Sequence, residues 1–169
     1  MVYPIVKFGD RVLETPAQAV TAFGDNLKTL VTNMFESMYA ARGVGLAAPQ
    51  IGVGKRIAVI DISFQRDPGA KIVLVNPEII RTEGRQTLEE GCLSIPGFRA
   101  KVTRPQTVAL RAQDTQGSWF ECTGGDLLAR AVLHETDHLN GNLFLSHLSA
   151  LKRASIKRQV RKLIVAGRW

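Results

Sequence analysis

Past Asp137 this sequence has no aspartate or glutamate, and along its whole length it has only 3 histidines and 2 cysteines. Two cysteines do not make the bridge framework on which small secreted domains depend, so Cys92 and Cys122 are expected to be free thiols, with no disulfide. No apolar run approaches the roughly 20 residues that cross a bilayer, so no membrane-spanning helix is expected. The start, Met1-Val2-Tyr3-Pro4-Ile5, has neither the basic and apolar regions of a secretory signal nor the Arg/Ser-rich character of a transit peptide. Repeats, low-complexity tracts and linkers are missing as well. The expectation is one compact cytoplasmic domain over residues 1–169, long enough for a substantial core.

The formal charge is +7, and it is unevenly spread. Lys152, Arg153, Lys157, Arg158, Arg161, Lys162 and Arg168 all fall in residues 151–169, which hold no acid, while bases and acids balance in the remainder. A basic tail of this kind is either a solvated face that favours solubility or a docking surface for an anionic partner.

Periodicity gives the framework. Leu27, Leu30, Val31, Met34, Phe35, Met38 and Tyr39 form an apolar stripe at helical spacing, with Gly24 or Asp25 to cap it and Gly43 to end it. A turn-rich segment follows over 43–52. Strand-like runs then read as Arg56–Ile62, Lys71–Val75, Pro77–Arg81, Ala100–Thr103, Thr107–Ala112 and Ser118–Cys122. The last two are expected to join as a hairpin through Asp114-Thr115-Gln116-Gly117. From about Asp126 to Asn140 the pattern is helical again, with Gly141 as its stop. A last helix from near Ser149 is expected to bury Ile156, Val160, Leu163 and Ile164. Strands and helices without regular alternation predict an α+β fold, with antiparallel sheets packed around a central helix and flanked by an N-terminal and a C-terminal helix.

That central helix carries His134-Glu135-Thr136-Asp137-His138. Positions i and i+4 share a helix face, so both imidazoles can bind one ion, with Glu135 beside them as a proton carrier. Such a site needs a third protein ligand and an open position. The usual protease solutions fail here. A third histidine at the familiar spacing would fall on Phe144, and no carboxylate follows Asp137 to replace it. Cys92, Cys122 and His147 remain as candidates. His147 lies beyond the Gly141 break, Cys122 ends a strand, and Cys92 sits in the shaped run Glu89-Glu90-Gly91-Cys92-Leu93-Ser94.

Three segments together, Gly43–Gly52, Glu90-Gly91-Cys92-Leu93-Ser94 and His134-Glu135-Thr136-Asp137-His138-Leu139-Asn140-Gly141, resemble the three signature motifs of peptide deformylase in order and approximate spacing. Pro4-Ile5-Val6 and Ile60-Asp61 also look like that family, so the resemblance covers nearly the whole chain. It implies a hydrolase that removes the formyl group from the N-terminal formyl-methionine of nascent chains. By the same resemblance Cys92, His134 and His138 hold one metal ion, Glu135 is general base and acid, and the Gln50 amide and Leu93 N–H hold the oxyanion. The resemblance implies ferrous iron, replaceable by nickel or cobalt. Cys/His ligation on general grounds suits zinc, expected here as a less active occupant.

Val44, Gly45, Gly91, Leu127, Arg99 and Arg130 are the expected substrate-binding residues. Gly45 and Gly91 would let a peptide backbone approach closely, while Val44 and Leu127 would help form the methionine slot. Glu90 and Arg104 read either as an ion pair bracing the cysteine loop or as a plain surface pair. Two positions depart from the family pattern. Leu133 stands where Gln is usual, and Arg130 stands where the pocket wall is usually apolar, which puts the usual methionine preference in question. The formyl-methionyl nascent peptide is the expected partner, and the basic tail extends the expectation to the ribosome.

Overall fold

The structure is a computed structural model that describes residues 1–169. Its helices are α1 (Asp25–Ala40), α2 (Asp126–Leu139) and α3 (Ala150–Val165). Its strands are β1 (Gly45–Ala47), β2 (Ile57–Ile60), β3 (Ile72–Glu83), β4 (Gln86–Gly91), β5 (Arg99–Arg104), β6 (Thr107–Gln113) and β7 (Trp119–Gly125). Five strands form an antiparallel sheet in the order β1-β2-β3-β6-β7, and β4 with β5 forms a separate hairpin. The α+β architecture read from the sequence is the one observed.

Strand β2 shows why the sheet is covered on both faces. All four of its residues are buried, and successive strand side chains point to opposite sides. Ala58 and Ile60 join Leu74, Leu110, Ala129, Val132 and Leu139 in the core beneath α2. Ile57 and Val59 join Met34, Met38 and Leu46 in the core beneath α1. A third cluster lies apart: Leu13, Ile95, Val102, Phe144, Ile156 and Val160 pack α3 and the β4–β5 hairpin together. Helix α2 therefore belongs to the main sheet, and the hairpin belongs to the α3 side.

The ends of the helices follow the sequence signals. Ser149 caps α3 by accepting from the Lys152 N–H, and Gly141, just past α2, takes a φ of 79° that a side chain would disfavour. Asp114 and Gly117 close the β6–β7 hairpin, with Asp114 N–H donating to the Ser118 carbonyl.

Four details differ from expectation. Strand β3 runs unbroken through Pro77, because the register slips between Val75 and Glu78 while Asn76 turns to a φ of 50°. A bulge absorbs the residue that cannot donate to the ladder. Strand β4 gave no strand pattern, since five of its six residues are polar or glycine and its Leu88 is 56 % exposed. Cys122 lies inside β7, paired with Leu110, and does not end a strand. In α3 only Ile156 and Val160 are buried, whereas Ile164, one turn further along the same i, i+4 line, is 51 % exposed near the end of the helix.

Candidate metal centre

Helix α2 places His134 and His138 one turn apart, with ring centroids 5.0 Å apart. Cys92 arrives from the other side, on the residue that follows β4. Its Sγ lies 3.3 Å from His138 Nε2, and one ligand atom from each of the three residues lies within 4.8 Å of the others. A tetrahedral ion with one sulfur and two nitrogen ligands spaces those atoms by roughly 3.4–3.6 Å. The donor set and its spacing fit one such ion. Two buried polar atoms beside it, His138 Nδ1 and Glu135 Oε2, have no hydrogen-bond partner within the protein. Burial and the neighbouring His134 hold the His138 imidazole well below its ordinary pKa, so it presents a neutral nitrogen.

The orientation of His134 is set from behind. Its Nδ1–H donates to Glu90 Oε2 at 2.7 Å, which leaves Nε2 free to ligate. Glu90 also receives Arg104 through Nε at 2.8 Å and Nη2 at 2.7 Å. Burial alone would raise the Glu90 carboxyl, but the hydrogen bonds from Arg104 and His134 outweigh it and hold the group well below the usual carboxylate range. The Glu90–Arg104 pair is therefore an interior brace and not a surface contact. Arg104 reaches on to Asp137 Oδ2 at 3.0 Å, and His147 Nε2 lies 2.8 Å from the same oxygen, so His147 is engaged away from the three ligand atoms.

Glu135 is 4 % exposed, and burial pushes its carboxyl up to about 7. That value suits a group that accepts and returns a proton near neutrality. Strand β1 passes directly over it: a β-carbon at Gly45 would fall 2.5 Å from Glu135 Oε1, so any larger residue would displace the carboxylate. Gln50 sits in the short turn of helix Ala48–Ile51 that follows β1 and is 1 % exposed. Its Oε1 accepts from the Ala47 N–H at 3.0 Å, which turns Nε2 toward Cys92 Sγ at 3.6 Å and Ser94 Oγ at 3.2 Å. The amide thus presents its donor side to the thiol. The Leu93 N–H makes no hydrogen bond to another group of the protein.

These groups open on a cleft of roughly 570 Å³, which Val44, Gly45, Gly91, Leu127, Arg99 and Arg130 all help to line. Arg130, which stands where the pocket wall is usually apolar, is buried with its charge engaged. It is 5 % exposed, and its guanidinium is turned onto Glu90 and the Val102 carbonyl. Arg42, Phe64 and Phe98 also line the cleft, and the sequence did not mark them. Arg42 adjoins the first motif, whose flank was its only signal. Phe64 is 55 % exposed with a φ of 53°, beside Gln65 at 68°. The buried Asp61 carboxylate holds that turn, accepting from Tyr39 Oη at 2.6 Å, Ser63 Oγ at 2.6 Å and Gln65 N–H at 3.2 Å.

Comparison with known proteins agrees with this geometry. The model of the family described as polypeptide deformylase matches residues 2–154. The chain is 57 % identical over 169 residues to a peptide deformylase of Acidobacterium capsulatum, covering 100 % of this chain and 99 % of the relative. It is 52 % identical over 147 residues to one of Heliobacterium modesticaldum, covering 87 % of this chain and 94 % of that protein. Among solved structures, a peptide deformylase from Legionella pneumophila superposes with a TM-score of 0.91 at 45 % identity, covering 99 % of this chain and 98 % of that one.

Proposed function

The chain belongs to the polypeptide deformylase family, which removes the N-terminal formyl group from nascent peptides, and from that premise we propose how its own residues divide the work. Cys92, His134 and His138 hold one ion. When bound, the ion would supply Lewis acidity, making a water nucleophilic near neutral pH. Glu135 takes a proton from that water as its oxygen bonds to the formyl carbon. It then delivers the proton to the amine nitrogen as the carbon–nitrogen bond breaks, so formate and a free N-terminus leave. The Gln50 Nε2–H and the Leu93 N–H donate to the oxyanion that develops on the formyl oxygen. Glu90, braced by Arg104, keeps the His134 ring in place. Val44 and Leu127 flank the methionine side chain, while Gly45 and Gly91 admit the peptide backbone, with Arg99 at the rim.

The observation that carries this reading is the convergence of one thiol and two imidazoles beside a partnerless buried carboxylate, with Cys92, His134 and Glu135 lining the cleft. The resident ion is ferrous iron, on the resemblance to the family, with zinc as a less active occupant. A formyl-methionyl peptide and the same peptide with a free amine test both points. Protein purified without oxygen should release formate from the first and leave the second intact. Exposure to air should inactivate it as the iron or the Cys92 thiolate oxidises, whereas nickel or cobalt should give an air-stable active form. Cleavage of the free peptide would mark an endopeptidase, and equal activity with zinc at every pH would remove the iron assignment.

Residues 1–169 act as one cytoplasmic deformylase domain whose last helix docks on the ribosome near the emerging chain. Lys157, Arg158, Arg161 and Lys162 are all exposed on α3, away from the buried Ile156 and Val160. Tethering would raise the effective concentration of the nascent substrate, and contacts with RNA phosphates would weaken steeply with salt. Reversing those four charges should leave hydrolysis of a short formyl peptide within about twofold while reducing co-sedimentation with ribosomes by roughly tenfold or more at low salt. Unchanged co-sedimentation would make the helix a solvated face only.

A further inference from the structure

The three proposed ligands come from two bodies that share little apolar packing. Cys92 follows β4 and packs against the cluster that holds the hairpin and α3. His134 and His138 lie on α2, whose apolar residues belong to the main-sheet core. The β4–β5 hairpin and α2 do not pack closely backbone to backbone, so polar side chains bridge them beside the site. Arg104 spans one side, from Glu90 to Asp137. Arg130 spans the other, one helical turn before His134 on the same face of α2.

We propose that Arg130 is a positioning residue for the reaction, clamping the Glu90-bearing hairpin to α2 and so fixing the distance between Cys92 and the two histidines. Its Nη1 donates to Glu90 Oε1 at 2.7 Å, and its Nη2 donates to the Val102 carbonyl of β5 at 3.0 Å. Glu90 then receives four N–H groups on two oxygens. Oε1 takes Arg104 Nε and Arg130 Nη1, and Oε2 takes Arg104 Nη2 and His134 Nδ1. Without Arg130, Oε1 loses one of its two donors. The Glu90–Arg104 fork, whose two members both lie on the hairpin, can then shift relative to α2, carrying away the acceptor that orients His134. A planar fork suits this role because one guanidinium reaches the carboxylate and the carbonyl together, which an ammonium does not.

This inference rests on the proposed ligand set, and its test separates the two. Nickel retention and formate release by the unaltered protein examine the ligand set. The ratio of variant to unaltered rates examines Arg130. Arg130→Met should release nickel into excess chelator about tenfold faster and lower kcat about tenfold, with KM for a formyl-methionyl peptide held within about twofold. Arg130→Lys, which keeps a charge for Glu90 but no fork, should fall between and serves if the methionine variant does not fold. Leu27→Ala, in the core beneath α1, supplies a destabilised comparison that should leave nickel release and kcat unchanged. The proposal is overturned if the Arg130 variants release nickel no faster than Leu27→Ala. A rise in KM with unchanged release would equally overturn it, by making Arg130 a wall of the methionine pocket.

Discussion

Glu135→Gln is expected to lower kcat by roughly 10³-fold while the ion stays bound, since general acid–base catalysis contributes about 10²–10⁴ and the three proposed ligands are untouched. The amide keeps the shape of the carboxylate and fits under Gly45, where a β-carbon would collide with Glu135 Oε1. It cannot hold the proton between attack and departure. Stability should not fall, because Glu135 Oε2 makes no hydrogen bond that the substitution would remove. Residual turnover would then measure what Gln50, the Leu93 N–H and the ion accomplish unaided. Formate release at the parent rate would sink the mechanism, whereas loss of the ion would place Glu135 among the ligands.

Cys92→Ala should lose the ion during gel filtration and with it essentially all activity, while Cys122→Ala should retain both. Cys92 supplies the thiol that lies beside His134 and His138. Cys122 is a half-buried residue of β7 whose thiol is pushed up by burial, and it meets no histidine. Truncating it should cost no more than about 1 kcal/mol. Metal content per chain, measured for both variants after the same purification, decides between them. The opposite result would move the centre to β7.

The helices were legible because their apolar stripes are long and their ends are punctuated. Leu27 to Tyr39 and Leu127 to Leu139 hold the 3.6-residue period, and Gly141 stops the second where a left-handed residue is needed. Strand β4 was hidden because Gln-Thr-Leu-Glu-Glu-Gly owes its conformation to residue-by-residue pairing with β5, a contact no local pattern encodes. The grouping of Cys92 with His134 and His138 was legible through their chemistry and the three motifs together. The orientation of the side chains around them was not. Gln50 is turned by an N–H three residues away, and Arg130 by a carboxylate forty residues before it, so each role exists only once the chain has folded.

Strands β1 and β4 each have one partner, and both reach the cleft through Val44, Gly45 and Gly91. Each therefore has an edge that is not paired within its sheet. An extended chain lying between them would be read by main-chain groups, which every residue carries alike. Beyond the first side chain, such an enzyme has little means of refusing a sequence. A catalyst that acts on nascent peptides gains from that indifference: one small site can serve chains of differing sequence.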